Sequence, residues 1–193
     1  MRLGVDVVEL HFAHGYLAHE FLSPLANRRS DEYGGPLASR MRFPLELFDA
    51  VRAVWPERGP LGVRISATDY AAGGWNLDEA VEFSRALRER GCDFIDCSSG
   101  GLVPTQKIDP HPGYQVPFAR TIRREAGIAT MAIGMITDPA LAERIVASGD
   151  ADFVSLARGF LRDPRWVWDA ADALGGEPFV PPQYLRGRRT SRP

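Results

Sequence analysis

A parallel α/β sheet is the fold class this sequence predicts, and three observations predict it. Short apolar, β-branched runs alternate with helix-period stretches five times along the 193 residues. No hairpin signal joins any two of these runs. Each run also ends, at its carboxyl side, in residues equipped for chemistry: His11 and His14, Arg64, Ser98 and Ser99, Gly134, and Arg158. Strand–helix alternation implies parallel pairing through right-handed crossovers. A doubly wound sheet binds its ligand at one switch point, whereas a barrel turns every strand end towards one mouth. Five distinctive strand ends favour the barrel. A complete barrel of this kind takes about 250 residues, so the expected architecture is the second part of one. The first strand opens abruptly after Met1, and strands are expected to have preceded it.

The first strand is placed at Gly4 to Leu10. The segment from Gly15 to Ser39 is rich in turn formers and weakly periodic, and loops of that length are usually functional or specially packed. Leu45, Phe48, Val51 and Trp55 recur at helical spacing, with Leu47 and Val54 widening the stripe. Pro44 is expected in or near the first turn of that helix, because an interior proline costs about 3 kcal/mol. Leu61 to Ile65 is the second strand. Asn76 and Glu79 have capping-box spacing at the start of a helix that buries Leu77, Ala80, Val81, Ser84 and Leu87 and stops at Gly91.

Asp93 to Cys97 is the third strand, Val116 to Glu125 a short helix, and Ile128 to Ile133 the fourth strand. Asp138-Pro139 opens a helix carrying Leu141, Ile145 and Val146, which ends before Gly149. Asp152 to Leu156 is the fifth strand, and Asp163-Pro164 starts a last helix running to about Ala173. Residues 1–177 therefore form a partial barrel, and residues 178–193 an extended basic tail.

Composition narrows the function. With 23 Lys and Arg against 25 Asp and Glu, the net charge of −2 gives no support for nucleic acid or an anionic membrane as the main partner. No apolar run approaches the roughly 20 residues of a membrane span. The two cysteines, Cys92 and Cys97, suit neither a disulfide framework nor a zinc motif, and a reducing cytoplasm is the expected location.

The densest chemistry lies in His11-Phe12-Ala13-His14-Gly15-Tyr16. Three readings are open. The two histidines suit a metal only with a third ligand, for which His19 and Glu20 are the nearest candidates. They suit a strand end if the backbone satisfies them. They suit an electrophilic clamp if two ring N–H groups polarise a carbonyl oxygen, with Tyr16 supplying a proton. Arg64 is either ion-paired with Glu9 or Asp96, or a fixed cation beside a ligand that becomes anionic. Gly134 and Arg158 end the last two strands, where barrels often bind phosphate, although each also suits an ordinary turn. There is no GxGxxG fingerprint, which argues against a Rossmann dinucleotide site.

Taken together, these motifs resemble those of the old yellow enzyme family of FMN-dependent ene reductases, and of its thermophilic-like bacterial class in particular. The resemblance rests on His11-Phe12-Ala13-His14-Gly15-Tyr16-Leu17, Phe21-Leu22-Ser23-Pro24, Asn27-Arg28-Arg29-Ser30-Asp31-Glu32-Tyr33-Gly34-Gly35, Val63-Arg64-Ile65-Ser66 and Asp96-Cys97-Ser98-Ser99-Gly100. It continues through Pro112-Gly113-Tyr114-Gln115, Ile133-Gly134-Met135-Ile136-Thr137, Ala157-Arg158, Leu161-Arg162-Asp163-Pro164 and Gln183-Tyr184-Leu185-Arg186-Gly187. It implies a (β/α)8 TIM barrel, of which this chain supplies strands four to eight.

By that likeness His11 and His14 bind the substrate carbonyl and Tyr16 stands where the family places a proton donor. Arg64, Ile133, Gly134, Ala157 and Arg158 contact FMN, with Arg64 by its pyrimidine edge and Gly134 and Arg158 at its phosphate. Tyr184 and Arg186 face substrate or a neighbouring subunit of a homo-oligomer. The implied reaction is ping-pong: NADPH, or NADH, reduces FMN, and an α,β-unsaturated carbonyl compound such as an enone is then reduced at its C=C bond.

The sequence departs from the family pattern in lacking the first three strands, in the bulk of Phe12, and in a tail that continues past Gly187 with further arginines. The iron–sulfur relatives of the superfamily carry clustered cysteines that this chain lacks. The alternative to an ene reductase is a half-barrel with no activity of its own, dependent on a partner or on a missing N-terminal half.

Overall fold

The computed structural model describes residues 4–187. Five parallel strands, β1 (Val8–Phe12), β2 (Leu61–Ser66), β3 (Phe94–Ser98), β4 (Ala129–Ala132) and β5 (Phe153–Val154), pair in sequence order. The sheet does not close on itself: β1 and β5 are its two edges. The architecture is thus an incomplete (β/α) barrel, as the sequence predicts.

The register separates the two faces. Phe12, Ile65, Cys97, Ala132 and Val154 lie side by side across the five strands, and Leu10, Val63, Ile95 and Thr130 form the row below. These rows belong to the face packed under the helices, where Val63, Ile65, Ile95 and Cys97 are fully buried. Side chains alternate along a strand, so His11, Arg64, Asp96, Met131 and Phe153 form a row on the opposite face. That face is the barrel interior, and it carries the charges. Gly62 leaves room on it for the ring of Phe94, which stands where a Cβ would otherwise be.

The helices are α1 (Leu17–Leu22), α2 (Leu37–Arg52), α3 (Leu77–Glu89), α4 (Val116–Ala126), α5 (Pro139–Ala147), α6 (Arg158–Arg162) and α7 (Trp166–Leu174). Asn76 caps α3 by accepting from the amides of Asp78 and Glu79 at 3.1 and 3.2 Å. Only half of the expected capping box forms, because the Glu79 carboxylate turns to the buried Arg40 instead. Asp138 caps α5 through the Ala140 amide, and Gly127 ends α4 in the left-handed conformation.

Several expectations need correction. The first strand lies further along than Gly4 to Leu10, and the fifth is shorter than Asp152 to Leu156. The segment from 15 to 39 is not all loop, since α1 lies within it. Pro44 sits well inside α2 rather than in its first turn. The reason is Arg40, buried one turn earlier. Its guanidinium donates to the carbonyls of Leu22 and Gly35 and to Glu79, and lies over the Trp75 ring. Tertiary contacts thus fix the turn upstream of the proline, although the helical bond that Pro44 cannot donate is lost. The loop between α1 and α2 is braced by Asn27, whose amide nitrogen donates to the carbonyls of Phe21 and Tyr33, both at 2.7 Å.

The predicted last helix is α7, starting just after Asp163-Pro164, and a short helix that the sequence did not announce, α6, precedes it from Arg158. The tail predicted to be extended turns through a 3-10 helix at Pro182–Gly187, and Arg188, Arg189 and Arg192 lie outside the described residues.

Candidate active site

At the end of β1 the chain reverses through two consecutive left-handed residues, His14 at φ +57° and Gly15 at φ +75°. A histidine rarely adopts this conformation without support. Here the support comes from three directions. The His14 amide donates to Ser66 Oγ at the end of β2 (3.0 Å), and Ser66 Oγ donates to the Gly100 carbonyl (2.8 Å). The Gly15 amide donates to His19 Nδ1 (3.0 Å). The turn also packs backbone against backbone on the Gly100-Gly101 turn that follows β3. A Cβ at Gly15 would lie 2.7 Å from the Gly101 carbonyl oxygen, and one at Gly101 would lie 2.7 Å from His14 Cα.

This geometry gathers the three candidate donors. The His11 ring centroid is 5.3 Å from that of His14 and 5.2 Å from that of Tyr16. His14 Nε2 lies 2.5 Å from Ser98 Oγ. Behind Ser98 is Gln115, buried, whose Oε1 accepts the Ser99 hydroxyl at 2.5 Å. Burial, reinforced by Arg64 and by the neighbouring histidines, lowers the His14 pKa to about 4, so the ring is neutral at pH 7. Burial and then Arg64 lower that of His11 as well.

Next to His11 on the inner row is Arg64, and next to Arg64 is Asp96. Their ion pair, Nη1 to Oδ2 at 2.9 Å, selects Asp96 from the two partners the sequence offered. The pairing is incomplete: Arg64 Nε and Asp96 Oδ1 are buried and lack a hydrogen-bond partner among the described residues. Burial pushes the Asp96 carboxyl up in spite of Arg64. Glu9 is open to solvent overall, but its carboxyl lies low in the concave face. Burial and the nearby Asp96 outweigh Arg64 and push its pKa up to about 6.

A cleft of about 520 Å³ opens between this cluster and the ends of β4 and β5. Eight of the residues singled out from the sequence line it: His14, Arg64, Ser98, Ser99, Ile133, Gly134, Ala157 and Arg158. His11 and Tyr16 flank it through their ring contacts. Gly134, at φ +112°, is where the wall passes closest to Gln115 and Tyr114; a Cβ there would lie 3.1 Å from both side chains. Two other predicted residues are elsewhere. Tyr184 packs on its own chain, its ring 5.7 Å from that of Trp168 and under the Arg165 guanidinium at 5.3 Å. Arg186 lies in the exposed 3-10 helix.

Sequence reasoning assigns no role to Ser66, Gln115 or Arg162, and names His19 only as a possible third metal ligand. Gln115 and Arg162 both line the cleft and belong to quoted motifs, the only signal that pointed to them. Among the described residues no group of three His, Cys, Asp or Glu is placed to share a metal ion, and no helix is long and apolar enough to cross a membrane.

The unpartnered Arg64 nitrogen tests the fit of a bound group. A half-buried guanidinium whose Nε lacks a partner, lining a cleft that also holds Arg158 and the Gly134 turn, suits a flat polar molecule with an anionic end. The comparisons with known proteins agree. The model of the NADH:flavin oxidoreductase / NADH oxidase family matches residues 1–176. An NADPH dehydrogenase of Geobacillus sp. (strain WCH70) is 54% identical over 186 residues, 96% of this chain and 54% of its own length, so the chain spans about half of that relative. A 2-naphthoyl-CoA reductase in complex with 2-naphthoyl-CoA superposes with a TM-score of 0.80 at 26% identity, over 90% of this chain and 27% of that one. Morphinone reductase in complex with tetrahydroNAD superposes at 0.67 and 27% identity, over 87% of this chain and 45% of that one.

Proposed function

Since the chain belongs to the NADH:flavin oxidoreductase / NADH oxidase family, we propose that its cleft is an FMN site and that the whole protein is an NAD(P)H-dependent ene reductase. The observation that carries this reading is the convergence of His14, Arg64, Gly134 and Arg158 on one cleft. FMN, when bound, supplies the hydride chemistry; the residues of this chain supply binding, orientation and polarisation. Arg158 and the Gly134 turn would hold its phosphate, and Arg64, kept in place by Asp96, would donate its free N–H groups to the polar edge of its ring.

His11 and His14 face the substrate carbonyl. A neutral imidazole donates from one nitrogen and accepts at the other. Ser98 engages His14 Nε2, and the remaining nitrogen is directed to the substrate. Polarising the carbonyl of an α,β-unsaturated compound makes its β-carbon electron-poor, which is the condition for hydride attack there. Tyr16, beside His11 and exposed, holds the proton for the α-carbon.

NADPH or NADH is the hydride donor. Support comes from the NADPH dehydrogenase relative and from morphinone reductase, which was solved with tetrahydroNAD. Two free, buried cysteines suit a reducing cytoplasm, and the whole protein is a homo-oligomer in which Tyr184 and Arg186 approach substrate or a neighbouring subunit. The test is to purify the chain with FMN, then follow flavin absorbance after gel filtration and on adding NADPH. Retained flavin that bleaches with NADPH and recovers with 2-cyclohexenone supports the reading; a chain that never retains flavin overturns the part of it that makes this cleft an FMN site on its own.

A further inference from the structure

The mechanism leaves one buried histidine unused. His19 is fully buried in α1, at the third helical position after the N-cap Tyr16. Its Nδ1 accepts the Gly15 N–H at 3.0 Å. A nitrogen that accepts a hydrogen bond carries a lone pair, so this ring is the tautomer protonated at Nε2. Nε2 lies 2.9 Å from Asp69 Oδ1, close but bent from the straight hydrogen-bond line. Asp69 is equally buried, and its other oxygen accepts the Ser23 hydroxyl at 2.6 Å and the Trp75 amide at 2.8 Å. The chain of contacts runs from the loop before α3, through α1, to the backbone between His14 and Tyr16. It resembles a capping box, in which a side chain of the first helical turn reaches back to an amide just ahead of the helix. Here, however, the amide caught is that of the glycine in the left-handed turn.

We infer that His19 is the positioning residue of the donor cluster: its bare Nδ1 grips the Gly15 amide and so holds His14 and Tyr16 at the cleft. What the cluster does with a substrate rests on the ene-reductase reading; that His19 holds the turn does not. Asn and Gln separate the two nitrogens of histidine. His19→Asn keeps an acceptor near the Nδ1 position, while His19→Gln keeps a polar group near Nε2 and leaves the Gly15 amide bare.

The experiment is 15N NMR of the labelled chain, followed by 2-cyclohexenone titration of the FMN-supplemented chain. In the unmodified protein the His19 ring is expected to show a bare Nδ1 and a protonated Nε2, with scalar coupling to the Gly15 amide. His19→Asn keeps the Gly15 amide and His14 ring resonances near their original positions. His19→Gln moves both and weakens enone binding about tenfold, while the Asn variant stays within about threefold.

A protonated Nδ1 in the unmodified chain overturns the inference. So do two variants that move the His14 resonances equally, since that marks packing alone. If neither variant folds, the tautomer and coupling in the unmodified chain still decide. Should those match while cyclohexenone leaves the His14 ring untouched, His19 keeps its role in the turn and the ene-reductase reading falls.

Discussion

The two ends of the cleft are built in opposite ways. At the β1 end, the His14-Gly15 turn is held by Ser66 and His19 and wedged against Gly101. At the β4 and β5 end, the wall is a glycine turn and a five-residue helix, α6, with no buried residue, and Arg158 is exposed. The first end is over-determined and the second is lightly held. If the proposed function holds, the donors at the first end must be in place before a carbonyl arrives at hydrogen-bond distance, whereas a phosphate at the second end would tolerate looser walls, because charge attracts from further away than a hydrogen bond does.

The contrast breaks most readily at Gly15. Gly15→Ala combines a left-handed φ with a Cβ 2.7 Å from the Gly101 carbonyl, and is expected to destabilise the chain by about 3 kcal/mol in urea unfolding. Gly175→Ala, also left-handed but with nothing within 4 Å, is expected to cost only about 1 kcal/mol. Equal losses would show that φ alone matters and that the turn is not wedged.

Arg158→Ala probes the other end. FMN affinity is expected to fall about tenfold or more while stability stays within about 0.5 kcal/mol, read by flavin fluorescence titration and urea unfolding. A matching loss of stability would make the phosphate end as structural as the clamp.

Acid acts in opposite senses on His14 and Glu9. The folded His14 pKa, about 4, is below the usual 6.5, so the unfolded chain binds the extra proton and stability falls as pH drops from about 6.5 to about 4. Glu9 acts with the opposite sign: its folded pKa of about 6 is above 4.5, so its contribution falls as pH rises through that window. The two offset one another between pH 4.5 and 6. Glu9→Gln removes the offset, and urea midpoints measured from pH 7 to pH 4 are expected to fall more steeply in this variant. The smallest effect is expected at Leu161, 83% exposed on α6. Leu161→Ser should leave the unfolding midpoint unchanged within about 0.5 kcal/mol.

Much of this was legible in the chain. Strand–helix alternation and the capping residues Asn76 and Asp138 are local signals, and the structure places both caps where they were read. The strand ends named as chemical do meet at one cleft, because parallel strands in a barrel all point the same way. Pro44 was misread because the local cost of proline says nothing about Arg40, whose partners Leu22 and Glu79 are remote in sequence. The tail was misread because basic, proline-containing composition does not record that Tyr184 finds Trp168 and Arg165. His19 was noticed only as a possible metal ligand, since an Nδ1–amide contact leaves no periodic trace.

By itself, then, the sequence determined the parallel α/β class, the order of its elements, and the residue types at each strand end, because these follow from periodicity and local sterics. Only the tertiary structure decided which partner neutralises Arg64, how Gly15 and Gly101 interlock, and that a buried His19, set against Asp69, accepts the Gly15 amide behind His14 and Tyr16. Each of these depends on atoms brought together from different βα units, and burial gives them their strength: the same contacts in water would be weak, but inside the protein an unpaired polar group is costly enough to fix one arrangement.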